Sequence, residues 1–105
     1  MKIFQSSSFA RKAKKFNKPQ KVDLDTALRV IIENPAVGIE KKGDLKGIFV
    51  HKFKIQGLPF LLSYRFINED LELIMLGSHE NYYRDLKTYL KKTQNDQPGV
   101  YSLRL

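Results

Sequence analysis

The sequence predicts an α+β domain with the element order β-α-α-β-β-β-α. Two observations carry that reading. Apolar residues recur at helical spacing in the first third of the chain and again at its end. Between them, three segments with short turns carry side chains that alternate with period two, the mark of half-buried strands.

Each element follows from local chemistry. Residues 1 to 5 carry β-prone Ile3 and Phe4 and read as a short strand. Ser6, Ser7 and Ser8 offer N-caps, and Phe9, Ala13 and Phe16 form a helical stripe with lysines outside it. Residues 17 to 19 break that helix, and Pro19 suits the first turn of the next. Val22, Leu24, Leu28, Ile31 and Ile32 continue it to Glu33, where Asn34-Pro35 stops it. The polar stretch 36 to 47, with Glu40-Lys41-Lys42-Gly43-Asp44-Leu45-Lys46, reads as a solvated loop. Strands are expected over 48–55, 58–67 and 71–76, joined by Gln56-Gly57 and Asn68-Glu69-Asp70. Such short connections make an antiparallel meander. A helix is expected over 80–92, with Tyr82, Leu86, Tyr89 and Leu90 on one side. Residues 93–99 read as a tail, and 100–105 as a frayed or docked strand.

The alternation sorts the sheet into two faces. Phe49, His51, Phe53 and Ile55 share one with Phe60, Leu62, Tyr64 and Phe66, and this face is expected against the helices. Ile48, Val50, Lys52 and Lys54 share the other with Leu61, Ser63, Arg65 and Ile67. That second face is expected to be a shallow, positively charged platform.

The 105 residues bound a single domain. The absence of cysteine excludes disulfides and thiolate metal sites, and fits a cytoplasmic protein. Apolar runs are too short to span a membrane, and the start lacks a signal-peptide stretch. Two histidines on separate elements make a metal site unexpected, and no cofactor is implied. The net charge of +8 is unevenly placed. Residues 1–22 hold Lys2, Arg11, Lys12, Lys14, Lys15, Lys18 and Lys21 and no acid. Such a face meets phosphate or an acidic protein, or is merely a solvated helix.

The densest chemistry lies in Gly77-Ser78-His79-Glu80-Asn81-Tyr82-Tyr83-Arg84-Asp85-Leu86-Lys87. A histidine stands at a strand-to-helix junction, followed by two tyrosines, with Lys52 and Lys54 on an upstream strand. These parts suit RNA phosphodiester cleavage, and equally plain binding of RNA or a partner. His51 sits among phenylalanines and reads as a packed core histidine.

Over residues 1–92 the chain resembles the RelE/ParE superfamily of toxins from bacterial type II toxin–antitoxin pairs. The resemblance rests on element order, on Val50-His51-Lys52-Phe53-Lys54, on Leu61-Leu62-Ser63-Tyr64-Arg65-Phe66, and on the Gly77-Ser78-His79 ending with its aromatics, which is similar to the YafQ branch. It implies a small curved antiparallel sheet backed by helices. It implies a toxin domain over 1–92 with a C-terminal tail over 93–105. It also implies cleavage of mRNA in the 70S ribosome, and an acidic cognate antitoxin in a hetero-oligomer. On this resemblance Lys52 and Lys54 match the basic pair of the RelE strand, His79 the YafQ histidine, and Tyr83 the aromatic position that follows. These four are the expected catalytic residues. Arg65, Lys12, Lys15, Arg84 and Tyr82 are the expected RNA contacts, and the alternative to a solvated Glu40–Lys46 loop is one that contacts rRNA or the antitoxin. One departure stands out: RelE has an arginine where this chain has Leu61, and Arg65 lies about 13 Å further along the strand. ParE members of the superfamily instead inhibit DNA gyrase and lack the nuclease residues. The main expectation is therefore an mRNA endonuclease. A gyrase inhibitor and a non-catalytic basic RNA-binding module are the alternatives.

Overall fold

In the computed structural model, residues 1–92 and 99–102 are described. The elements are β1 (Ile3–Gln5), α1 (Ser7–Lys14), α2 (Lys18–Glu33), β2 (Ile39–Glu40), β3 (Phe49–Ile55), β4 (Leu58–Ile67), β5 (Asp70–Gly77), α3 (Tyr82–Lys92) and β6 (Gly99–Val100). The strands form one sheet in the order β2-β3-β4-β5-β1-β6. The expected meander is present: β3 pairs antiparallel with β4, and β4 with β5. The sheet is larger and mixed, because β1 lies beside β5 in parallel and β6 runs antiparallel to β1. The stretch 36–47, read as a loop, contributes β2 and two short 3-10 turns, Pro35–Val37 and Gly43–Leu45. The tail residues 93–98 and 103–105 lie outside the described residues.

Helix boundaries follow their caps. Ser6 Oγ accepts from the Phe9 N–H at 3.1 Å and starts α1. Asn17 and Gln20 form a reciprocal capping box with Pro19 in the first turn of α2. The last helix begins at Tyr82 rather than at position 80. Asn81 has φ +59°, a left-handed conformation that a helix cannot pass through. In the β3–β4 turn, Gln56 and Gly57 have φ +48° and +81°, as a two-residue hairpin requires. The Asp23 carboxylate on α2 holds that turn, accepting from the Gln56 backbone N–H at 2.8 Å and from its amide at 2.7 Å.

The aromatic face of the sheet packs on α1 and α2. Phe9, Leu24, Leu28, Ile31, Ile55, Leu62, Tyr64, Leu71 and Leu73 form this core, flanked by Phe49, Phe53, Phe60 and Phe66. The opposite face departs from expectation. Helix α3 lies on it, burying Tyr82 and Leu86 against Ile48, Val50, Leu61 and Ile74, with Leu45 from the 43–45 turn. The platform is therefore narrowed to the part that α3 leaves open, where Lys52 and Lys54 remain exposed.

A β-bulge in β5 sets how the strand ends. Ser63 pairs with Met75 but Tyr64 pairs with Leu73, so Ile74 is the extra residue. Ile74 and Met75 consequently both serve the α3 side, while Leu73 and Leu76 both reach the α1–α2 core. The carbonyls at the bulge find partners outside the ladder. Ser6 Oγ donates to Ile74 O, and Tyr82 Oη donates to Met75 O at 2.7 Å.

Tyr64 joins the sheet to the segment after α2. Its hydroxyl donates to Pro35 O at 2.9 Å and accepts from Gly38 N at 3.0 Å, and burial pushes its phenol pKa upward. A Cβ at position 38 would stand 2.5 Å from that hydroxyl, so only glycine fits. Tyr64→Phe would leave both backbone groups without this partner, the Gly38 N–H in a buried place and the Pro35 carbonyl in a part-buried one. It should lower stability by about 1–3 kcal/mol in denaturant unfolding. An unchanged unfolding midpoint would mean that the bridge adds nothing.

His51 is half-buried and stacked on Phe53, with ring centroids 5.8 Å apart, matching the expected packed histidine. Burial pushes its pKa below the ordinary value of 6.5. The unfolded chain therefore takes up the proton first. As pH falls below about 6.5 this site should remove stability progressively, and the loss levels off, without being regained, once the lower folded value is passed. In pH-dependent unfolding, His51→Gln should flatten this part of the slope. An identical slope in the variant would show that His51 does not contribute.

Candidate functional site

The bulge delivers Gly77, Ser78 and His79 to one end of the sheet. Gly77 is paired with Leu61, which is paired in turn with Lys52, so the three form one row across β5, β4 and β3. Two strand spacings put the Lys52 backbone about 10 Å from Gly77. Lys54 pairs with Pro59, about 7 Å further towards the hairpin. His79 follows two residues after Gly77 and is exposed, and its carbonyl accepts the Tyr82 N–H at 3.2 Å.

The two tyrosines at the start of α3 have different tasks. Tyr82 is only 3% exposed, and its hydroxyl bonds Ser63 Oγ at 2.9 Å as well as Met75 O. Burial drives its phenol pKa strongly upward. The expected RNA contact at Tyr82 is corrected, because no base can reach a ring that belongs to the core. Tyr83 is half-buried, and its ring stands edge-to-face with His79 at 6.3 Å and with Tyr82 at 5.6 Å. The Lys41 ammonium lies over the Tyr83 ring, 4.8 Å from its centroid.

Lys41 was not among the residues expected at the site. Its loop is held in place by Leu45, buried in the same cluster as Tyr82 and Leu86. Its backbone is tied by the Lys41 N–H to Ile48 O at 2.8 Å. The signal in the sequence was one leucine in an otherwise polar stretch.

The remaining expected residues are dispersed. Arg65 is paired with Glu72 across the β4–β5 ladder, four residues from Leu61. Its Nε is held by the Glu72 carboxylate, while the side chain stays 40% exposed. Lys12 and Lys15, with Arg11 and Ser8, line one wall of a cleft of about 360 Å³. The facing wall holds Gly77, Ser78, Glu80 and Asp85, so acids oppose these bases. They meet the end of β5 from the α1 side, whereas Lys52 reaches it from across β4. Arg84 is exposed on α3 beside Asp85, at 3.6 Å.

The assembled group is thus His79, Tyr83 and Lys41, with Lys52 in the adjoining row. An imidazole, a phenol and ammonium groups can exchange protons and bind an anion such as phosphate. Among the described residues, no three of His, Asp and Glu are grouped to hold a metal ion. Among them, too, no helix is long and apolar enough to cross a membrane.

The fold is similar to that of several solved toxins. A double arginine-to-alanine variant of E. coli RelE in the free state has a TM-score of 0.64 and 16% identity, covering 90% of this chain and 99% of that one. The intact RelBE toxin–antitoxin complex of E. coli gives 0.59 and 19%, covering 74% and 95%. A YoeB/ParE toxin from Agrobacterium tumefaciens gives 0.58 and 20%, covering 75% and 99%. At these identities the likeness is one of fold. No curated protein matches the chain in sequence. The pattern of the ParE-like toxins of type II bacterial toxin–antitoxin systems matches residues 3–87, and the chain belongs to that family, within the RelE/ParE superfamily.

Proposed function

We propose that this toxin is a ribosome-dependent mRNA endonuclease that arrests translation. The observation that carries the reading is the exposed His79 in perpendicular ring contact with Tyr83, at the end of the row that leads to Lys52. Histidine is the side chain whose ordinary pKa suits proton transfer at neutral pH. In this mechanism His79 takes the proton of an RNA 2′-hydroxyl. The freed oxygen attacks the adjacent phosphorus, and the bond to the 5′-oxygen breaks. That oxygen is protonated by a lysine ammonium or by water. The products are a 2′,3′-cyclic phosphate and a 5′-hydroxyl. Tyr83 orients the imidazole and offers a face to a base, and the ammonium groups of Lys52 and Lys54 hold phosphate. Arg84, Lys12 and Lys15 add sequence-independent attraction for RNA.

The 70S ribosome and mRNA are the partners under this reading, with the cytoplasm as the place of action. An acidic antitoxin is the natural inhibitor of a chain with net charge +8. The RelBE complex is one in which a protein of this fold is held by its antitoxin. The toxin domain corresponds to residues 1–92, with 93–105 as its extension.

One observation favours the second reading, a toxin that binds DNA gyrase without nuclease chemistry. Leu61, standing where RelE has an arginine, is 3% exposed, and Arg65 is committed to Glu72. Cleavage of ribosome-bound mRNA, set beside a gyrase supercoiling assay, separates the two.

On the nuclease reading, His79→Ala should remain folded and ribosome-bound but cut about 10²–10⁴ times more slowly. A variant that cuts as fast as the parent would remove His79 from the mechanism. A parent that cuts nothing and blocks supercoiling would establish the gyrase reading. Changing both Lys52 and Lys54 to Ala should weaken ribosome or RNA binding and reduce its salt dependence. Full toxicity in that folded double variant would exclude the lysine row.

A further inference from the structure

Phosphodiester cleavage by 2′-hydroxyl attack places added negative charge on the phosphoryl oxygens, and a cation must meet it. In this toxin the sheet offers His79 only the lysine row for that purpose. Position 61 is a buried leucine, Arg65 is engaged by Glu72 four residues further along β4, and Lys52 belongs to a strand two spacings from Gly77. The 40–46 loop does reach the site. Its Lys41 ammonium sits over the face of Tyr83, and that same ring stands nearly perpendicular to the His79 imidazole. Lys41, Lys42 and Lys46 also line, with Glu40 and Gly43, a cavity of about 260 Å³. The carboxylate there is partly engaged, since Glu40 Oε2 accepts the Gly47 N–H at 3.3 Å. Buried Leu45 fastens the loop to the α3 side of the sheet, so the lysines are presented from a fixed base.

We infer that Lys41 is a further phosphate-binding residue of the toxin, supplying from the loop the positive charge that Leu61 does not supply from the sheet. The inference rests on the nuclease reading of His79. Lys41 transfers no proton. It contacts a non-bridging oxygen of the phosphate beside the 2′-hydroxyl that His79 deprotonates. Resting on Tyr83 keeps its long side chain at that place before RNA arrives. Lys42 and Lys46 extend the same positive wall towards the neighbouring phosphate.

The test uses the full-length toxin and a short RNA oligonucleotide methylated at every 2′-oxygen, which binds but cannot be cut. Affinity is measured against salt concentration for the parent, Lys41→Gln, Lys41→Arg and, as a control, Lys91→Gln in the exposed last turn of α3. Loss of one phosphate contact should lower the slope of log affinity on log salt by about 0.7. Lys41→Gln should show that loss and cut ribosome-bound mRNA about 10²-fold more slowly. Lys41→Arg should keep most of both, and Lys91→Gln should keep the parent slope. Thermal melts without RNA verify that each variant is folded. If the parent binds and cuts but Lys41→Gln matches it in slope and rate, the Lys41 assignment falls and the nuclease reading stands. If Lys41→Gln merely melts earlier with an unchanged slope, Lys41 is a packing residue and the assignment also falls. A parent that neither binds the oligonucleotide nor cuts overturns both readings.

Discussion

The extra residue in β5 is the constraint on which the rest of the molecule depends. Were Ile74 paired in a regular ladder instead of bulged out of it, β5 would keep strict alternation past Ser63, and Leu73 and Leu76 would fall on opposite faces. A bulge leaves carbonyl groups without their usual ladder partners, and buried ones must be satisfied. Here the partners come from opposite directions. Ser6, the cap of α1, takes one, and Tyr82, the first residue of α3, takes the next. One irregularity in a strand therefore fixes where both flanking helices begin. It also aims the residues beyond it, Gly77 to His79, at the open end of the sheet.

Burial on two faces explains why so little of the surface is left for chemistry. Helices α1 and α2 cover one side, and α3 with the 43–45 turn covers most of the other. Lys52 and Lys54 stay exposed, and the loop with Lys41 comes up beside Tyr83. The site thus stands on a rigid sheet end and a pinned loop. A polar group here keeps its position because the apolar residue next to it in sequence is buried. Tyr82 supports Tyr83, and Leu45 supports the lysines of its loop.

How much was legible in the sequence follows from the same physics. The β3–β4 pair was readable because its period-two pattern is unbroken from Phe49 to Phe66, and the helical hairpin because its stripe and caps are local. The first residue of α3 was misplaced, since Asn81 adopts a left-handed backbone that a helical pattern does not announce. The covered second face was missed because Ile48, Val50, Leu61 and Ile74 look like the apolar half of an open platform until α3 is laid on them. Tyr82 and Tyr83 are identical letters one position apart, and a rotation of about 100° on a helix makes one core and the other site. The place of Lys41 against Tyr83 was not legible, because it depends on a loop anchored through Leu45 to the α3 side of the sheet, and such anchoring leaves no periodicity.

The parallel pairing of β1 with β5 bears on the order in which the fold closes. The meander β3–β4–β5 closes through turns of a few residues, but Ile3 meets Leu71 across 68 positions of chain. Loop-closure entropy rises by about 0.6 kcal/mol for each doubling of length, so this contact starts about 2–3 kcal/mol behind a hairpin. Only three residue pairs of ladder then hold it. Gly99 and Val100 pair with β1 on its outer side, and Tyr101 is tied to Asp25 and to the edge of Phe9. The outer strand thus depends on β1 being in place, and the two assemble in sequence. Until they do, the free edge of β5 is a template that a strand from another copy can occupy. For this toxin, crowding among newly made copies is therefore a hazard set by topology rather than by composition.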